Sequence, residues 1–299
     1  MKNARNLFSP CFATIIGVSL SALGISSCTL PGTGSATNEI INDLALSQSS
    51  FLVLDIASGH ITGHAALSDL TSNSAYRSTK LVFRLIPTGS TTLGAATGTL
   101  GDGVDASASS ANVSRFYCGV FEVTQAQWQL MAGTTPWTTA SVLPSGAAGT
   151  LATDPDKPAY SLSEDTIDIA VQAHNSGKNY HLAIPTNQQW ERACRADGVT
   201  PFFWGNDANS RTAALPYAVV AETAGSALGP SAVAQKQPNA FDLYDIQGNV
   251  WEITHTGLNS HLRGGSWFDP MSQARCSNLV SIDRGTAHVL AGVRLVLVP

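Results

Sequence analysis

Charge is scarce in this chain: Asp, Glu, Lys and Arg make up 12% of its 299 residues, and the formal net charge is −5. No basic cluster of the kind that holds phosphates occurs, which argues against nucleic acid as a partner. Strand–helix–strand alternation is missing, so a doubly wound parallel sheet is not expected. Long apolar runs are also lacking. The stretch most apolar between Phe12 and Leu23 is shorter than the roughly 20 residues a spanning helix needs. Cysteine is sparse as well: after Cys28 only Cys118, Cys194 and Cys276 remain. In an exported chain that count allows one bridge and one leftover thiol.

The N-terminus carries Lys2 and Arg5, then an uncharged stretch from Leu7 that closes in Gly24-Ile25-Ser26-Ser27-Cys28. A charged start, a short apolar core and small residues before a cut are the layout of a secretory signal. Apolar–small–small–Cys resembles a bacterial lipobox, which implies cleavage before Cys28 and diacylation of its sulfur. Ordinary cleavage beside an incidental cysteine is the alternative. Residues 1–27 are read as a lipoprotein signal peptide and residues 28–38 as a flexible tether of small uncharged residues. The protein is then expected to be exported and membrane-anchored through its lipid, in the periplasm or at the cell surface. Without Lys2 and Arg5 its net charge is −7.

Phe51 to Ile56 (FLVLDI) and Leu81 to Ile86 (LVFRLI) are short β-branched and aromatic runs bounded by turn-forming residues, and both read as strands. The polar connection holding His60 and His64 reads as a solvated loop, because Ile61-Thr62-Gly63 is a poor helix on which to present two histidines to a metal. Gly89 to Ala111 is mostly Gly, Ala, Ser and Thr with only two Asp, which reads as a mobile loop rather than a strand. Phe116 to Val123 is the next strand. Thr124 then caps a helix with Gln127 as reciprocal partner. The pattern recurs at Thr186 and Gln189, ahead of Trp190 and Cys194 on one helix face. Ser163 caps a further helix within Asp156 to Ala173. Asn206 to Pro238 is a long connection, expected to be pinned over the surface. Short elements with this much Gly and Pro indicate a loop-rich α+β fold.

Asn239 to Trp267, NAFDLYDIQGNVWEITHTGLNSHLRGGSW, sets Gly248 and Gly264-Gly265 between two tryptophans and several carboxylates. It reads as an ordered, irregular segment whose backbone polar groups need side chains, water or a metal ion. Taken with GVFEVTQAQW (119–128), IPTNQQWERACRA (184–196), FFWG (202–205) and AGVRLV (291–296), the stretches AFDLYDIQGNVWEI (240–253) and LRGGSW (262–267) resemble the formylglycine-generating enzyme, or sulfatase-modifying factor, family. The motifs occur in that family's order over roughly residues 81–299. The resemblance implies a C-type-lectin-like α+β fold with short helices and strands, preceded by an accessory N-terminal strand region over 39–80.

The resemblance also implies a structural calcium site, with side-chain oxygens from Asp245 and Glu252 and backbone carbonyls from Gly248 and Val250. Mixed carboxylate and carbonyl oxygens suit Ca²⁺. The alternative is that Asp245 and Glu252 merely cap amides around the Gly248 turn. Cys194 and Cys276 match a disulfide pair of relatives, which would leave Cys118 as the free thiol.

The copper centre of the enzymes in this family is where the sequence departs. They bind Cu(I) through two cysteines shortly after GGS[WY], and soft thiolates are what select that ion. Here the first position is Asp269, and WFDPMSQAR (267–275) contains no cysteine. Copper is therefore not expected. Nor do His255, His261 and His288 have the spacing of an iron site. The remaining reading is a non-catalytic domain that binds a protein or carbohydrate ligand on the surface after GGSW. Trp251, Ser266, Trp267, Phe268, Asp269 and Arg275 are its candidate residues. A formylglycine-type oxidase or other redox enzyme with a rearranged centre, using Cys118, is the alternative. Some surface-displayed relatives diversify the segment from Phe268 to Leu290, and they too end in a sequence like GVRLV.

Overall fold

The runs richest in β-branched and aromatic residues meet in one six-stranded antiparallel sheet. The computed structural model describes residues 46, 48–101, 105, 107–139, 153–207, 209–225 and 229–298. The signal peptide, Cys28, the tether and the start of the accessory region lie outside the described residues. Strands β1 (Phe51–Asp55), β2 (Ile61–His64), β3 (Lys80–Ile86), β6 (Phe116–Gly119), β7 (His181–Ala183) and β12 (Val296–Val298) assemble in the order β2-β1-β3-β6-β12-β7. β12 is thus an interior strand next to the edge strand β7: Val296 pairs with Cys118 on one side and Ala183 on the other. A second sheet has the order β10-β9-β8-β11, from Val280–Ile282, Asn259–Arg263, Trp251–Thr256 and Ala291–Gly292. Its β11 runs parallel to β8, with Ala291 opposite Trp251.

Apolar side chains from both sheets share one core. Leu52, Leu54, Phe83, Leu182 and Leu297 of the first sheet cluster with Trp251, Ile253 and Leu262 of the second. Trp128 of α2 (Gln125–Ala132) and Ile167 and Val171 of α3 (Glu164–Asn175) join them. The helix starts follow the expected caps. Thr124 Oγ1 accepts from the Gln127 amide at 3.2 Å while Gln127 Oε1 accepts from the Thr124 amide at 2.9 Å. The same box opens α4 (Asn187–Arg195) through Thr186 and Gln189. Ser163 caps α3, with Thr166 as its partner.

Two segments expected to be loops are strands. Ile61–His64 forms β2 against β1, Leu54 facing Ile61, while His60 stays exposed. Residues 89–111 supply β4 (Gly89–Leu93) and much of β5 (Ser109–Val113), paired antiparallel with Gly89 opposite Val113. Neither carries a long hydrophobic alternation. β2 is held by its backbone pairing with β1, and the β4–β5 hairpin by pairing plus two buried anchors, Leu93 and Val113; tertiary context of this kind overrides local propensity. The strand expected over 116–123 stops at Gly119. Beyond it the backbone still pairs, Val120 N–H with Val82 O and Val123 N–H with Val293 O, without regular register.

β1 lies between β2 and β3, so residues 51–64 are part of the main sheet. The connection 206–238 carries α5 (Arg211–Ala214) and buries Ala214, Ala218, Val220 and Val233. Short α1 (Ala75–Ser78) leads into β3.

Candidate functional site

Helix α4 is polar in sequence, yet Trp190 to Arg195 are all buried. Its charges explain how. Glu191 accepts from Arg195 at 2.7 and 2.9 Å, from Arg263 at 2.7 Å and from the Gly94 amide at 2.7 Å. Trp190 donates its indole N–H to Glu252 at 2.6 Å. Glu252 in turn binds Arg294, whose Nη2 and Nε lie 2.7 and 3.0 Å from Oε1. Arg294 is 0% exposed, and its other donors reach the carbonyls of Gly119, Val120 and Tyr244. A buried ion pair of this kind is tolerable because every donor has a partner. The pair joins β8 to the backbone leading into β12 and so fixes the strand that carries Trp251.

The turn at Gly248 and the Gly264-Gly265 corner are bonded to each other. Gly248 N–H donates to Gly264 O and Trp267 N–H to Asn249 O, both at 2.8 Å. Gly248 has φ +90°, and a Cβ there would sit 2.5 Å from the Val219 carbonyl oxygen; only glycine fits. Ser266 follows, fully buried, and donates its hydroxyl to Asp269 Oδ2. Trp251 donates its indole N–H to the same oxygen at 2.7 Å. The Asp269 carbonyl accepts from Ala221 N–H at 3.0 Å, and Met271 N–H donates to Glu222. A strand, a glycine corner and the long connection therefore hold one carboxylate in place.

Asp269 forms part of the wall of an open groove of about 500 Å³. Trp251, Leu262, Phe268, Gln273, Val280, His288, Val289 and Leu290 line the rest. Phe268 and Val280 are 37% and 38% exposed, high for large apolar side chains. Burial lowers the pKa of His288, and the nearby Asp269 charge only partly opposes this. Its Nδ1 accepts from Leu290 N–H at 3.3 Å, which places the proton of the neutral ring on Nε2. Concave shape, apolar walls and a few fixed polar groups are the attributes of a small-ligand site.

Of the residues singled out in the sequence, Trp251, Phe268 and Asp269 come together here. Ser266 and Trp267 lie beneath, both buried. Arg275 does not line the groove; it pairs with Asp105, Nη2 to Oδ1 at 2.7 Å. Gln273, Val280 and His288 fall within the segment Phe268 to Leu290 singled out in the sequence, but were not named as site residues, since no motif or periodicity marks them individually. Cys194 and Cys276 bring their sulfurs to 2.7 Å, fully buried. Cys118 is buried in β6, where desolvation pushes its thiol up to about 12.

The four oxygen donors inferred for calcium behave differently from one another. Neither the Gly248 nor the Val250 carbonyl accepts a hydrogen bond from a described residue. Asp245 Oδ2 accepts from Ala234 N–H at 2.6 Å, leaving Oδ1. Glu252 has both oxygens engaged by Arg294 and Trp190, so it does not fit the role of a free ligand. Glu122, which the sequence reading passed over, is fully buried beside this turn. It accepts from Val250 N–H at 3.1 Å and Asn249 Nδ2 at 2.6 Å. Burial holds its carboxyl far above the usual range, with repulsion from Asp245 and Glu252 adding and Arg294 opposing. Burial likewise pushes Asp245 up to about 6 against the Ala234 hydrogen bond and Arg294. A lone carboxylate inside the apolar run Val120-Phe121-Glu122-Val123 was the signal available. Among the described residues no three His, Cys, Asp or Glu side chains converge as a metal site.

Comparison with known proteins bears on this arrangement. Residues 70–298 match the sulfatase-modifying factor enzyme 1-like domain. The formylglycine-generating enzyme of Mycobacterium tuberculosis is 33% identical over 102 residues, 31% of this chain and 32% of that enzyme. The matched part thus spans about a third of that relative's length. Among solved structures, PvdO from Pseudomonas aeruginosa superposes with a TM-score of 0.63 at 17% identity, covering 72% of this chain and 94% of PvdO. Treponema denticola variable protein 1 gives 0.57 at 20%, over 74% and 96%. CarF gives 0.53 at 20%, over 71% and 96%. The fold is the C-type-lectin-like α+β fold of these proteins.

Proposed function

Since the chain belongs to the family of sulfatase-modifying factor enzyme 1-like domains, we propose that it is a ligand-binding, non-catalytic member of it. In this reading the protein is exported and anchored to the membrane by a lipid on Cys28. Its working surface is the groove over Trp251, and its ligand is held rather than transformed. The observation that carries the reading is the corner itself. Asp269, tied to Trp251 and Ser266, occupies the sequence position that the resemblance assigns to a copper-binding cysteine in the family's enzymes. Thiolate donors, the ligands that select Cu(I), are absent from the groove lining.

The alternative reading, an oxidase or other redox enzyme using Cys118, needs a reachable thiolate. Cys118 is 1% exposed and its thiol is shifted away from ionisation, so the geometry favours binding. A disulfide between Cys194 and Cys276 and a calcium ion at the Gly248 turn belong to the same proposal. Calcium would use Asp245 and the two free carbonyls, and it would offset the buried negative charge of Glu122 and Asp245. Its role would be to stiffen the turn that is bonded to the Gly264-Gly265 corner.

Phenol titrated into ¹⁵N-labelled protein tests the reading, with the tryptophan indole N–H signals as readout. The Trp251 signal, identified by its loss in Trp251→Phe, should shift with saturation while those of buried Trp137 and Trp190 stay still. Shifts confined to other indoles, or none, would overturn it.

A further inference from the structure

The groove is selective in its charge. Asp269 is the only Asp or Glu in its lining, no Lys or Arg lines it, and burial disfavours the charged form of its one histidine, His288. Arg275, close by in sequence, is bound to Asp105. The two hydrogen bonds that fix the Asp269 carboxylate both go to Oδ2, so Oδ1 accepts none from a described residue. One oxygen is thereby positioned and left open. Gln273 adds an amide oxygen that takes only the Asn278 side chain, at 2.9 Å. Around these acceptors the surface is aromatic and aliphatic.

Such a set does not suit an anion, which Asp269 would repel. A sugar is also a poor match, since its many hydroxyls require more polar partners than Asp269, Gln273 and His288 offer. What it suits is a cation with an apolar body. An ammonium group donates to carboxylate and amide oxygens and is attracted to aromatic faces such as Phe268. The volume of about 500 Å³ lies within the range of small-molecule pockets.

We propose that the groove binds a small molecule with a protonated amine at one end, seated on Asp269 Oδ1, and a short apolar stem lying along Phe268 and Val280. This rests on the groove being the ligand site, and it names the class of ligand.

The test compares three six-carbon probes on the purified full chain by isothermal titration: n-hexylammonium, hexan-1-ol and hexanoate. Hexylammonium should bind at least tenfold more tightly than hexan-1-ol, and hexanoate more weakly than either. Asp269→Asn should bring the amine down to the affinity of the alcohol. Because Asp269 also holds the corner, a second variant is needed. Gln273→Lys places a competing cation beside Asp269 and should weaken amine binding at least tenfold. Alcohol binding without an amine advantage, or an amine advantage that survives both substitutions, would overturn the ligand class and leave the groove as a binding site. If none of the three probes binds, the groove reading fails with it.

Discussion

The indole nitrogen of Trp251 lies 2.7 Å from Asp269 Oδ2 and donates its proton to it. This one bond links the first residue of β8 to the loop after the Gly264-Gly265 corner, and Ser266 completes the clamp. A hydrogen bond to a charged group contributes about 1.5–3 kcal/mol. A double-mutant cycle with Trp251→Phe and Asp269→Asn, read by urea denaturation, should give a coupling energy of about 1–2 kcal/mol. Coupling near zero would mean that the carboxylate is not held by the tryptophan.

The Glu252–Arg294 pair has the opposite character, since it is buried and structural. Removing one partner of such a pair typically costs about 3–5 kcal/mol, because the other charge is left buried and alone. Glu252→Gln should therefore lower the urea midpoint sharply. Glu252→Gln combined with Arg294→Met, which removes both charges, should recover part of the loss. If the single variant is as stable as wild type, the carboxylate is not Arg294's counter-ion.

Asp245 and Glu122 give the fold a pH dependence of definite sign. Both pKa values are raised on folding, so between the unfolded value and the folded one the native state holds protons that the unfolded chain has released. Stability from these groups is present below about pH 4 and declines as pH rises; for Asp245 the decline is complete near 6, the level to which it is pushed. For Asp245 the loss is on the order of 3 kcal/mol. His261 and His288, whose pKa values are lowered, lose stability as pH falls through 6.5, so the wild-type curve mixes the two effects. Subtracting the curve of Asp245→Asn isolates the carboxylate. Millimolar calcium should flatten the decline in wild type and not in the variant. A decline of equal size in both proteins would remove Asp245 from the account.

The proposed disulfide between Cys194 and Cys276, whose sulfurs lie 2.7 Å apart and 82 positions apart in sequence, would tie α4 to the segment after the GGSW corner. Closing a loop of that length stabilises by about 3–5 kcal/mol in the chain-entropy model. Intact-mass analysis after denaturing alkylation should label these two cysteines only when reductant is present, and Cys118 in both cases. Equal labelling with and without reductant would show free thiols.

Local chemistry made much of this legible in advance. The Thr124 and Thr186 caps are each written in a Thr and a Gln three residues on, and the turn at Gly248 in a single glycine whose Cβ has no room. The hairpin of residues 89–113 was not legible, because its strands owe their form to pairing partners and to two buried anchors. The same limit applies to the groove. Trp251, Phe268 and Asp269 lie near one motif, but Val280 and His288 reach it from β10 and from the loop before β11. No local pattern announces that convergence. Arg275 stood beside the motif in sequence, yet it turned to Asp105, a residue 170 positions away.

The central claim is that this corner has a carboxylate-walled groove where the family's oxidases have a copper centre. It is tested most directly by titrating purified protein with Cu(I) against a competing chelator and then supplying a cysteine peptide of the sulfatase type and oxygen. The account predicts no stoichiometric copper binding and no formylglycine by peptide mass. One copper per chain held through thiols, with conversion of the peptide, would contradict it.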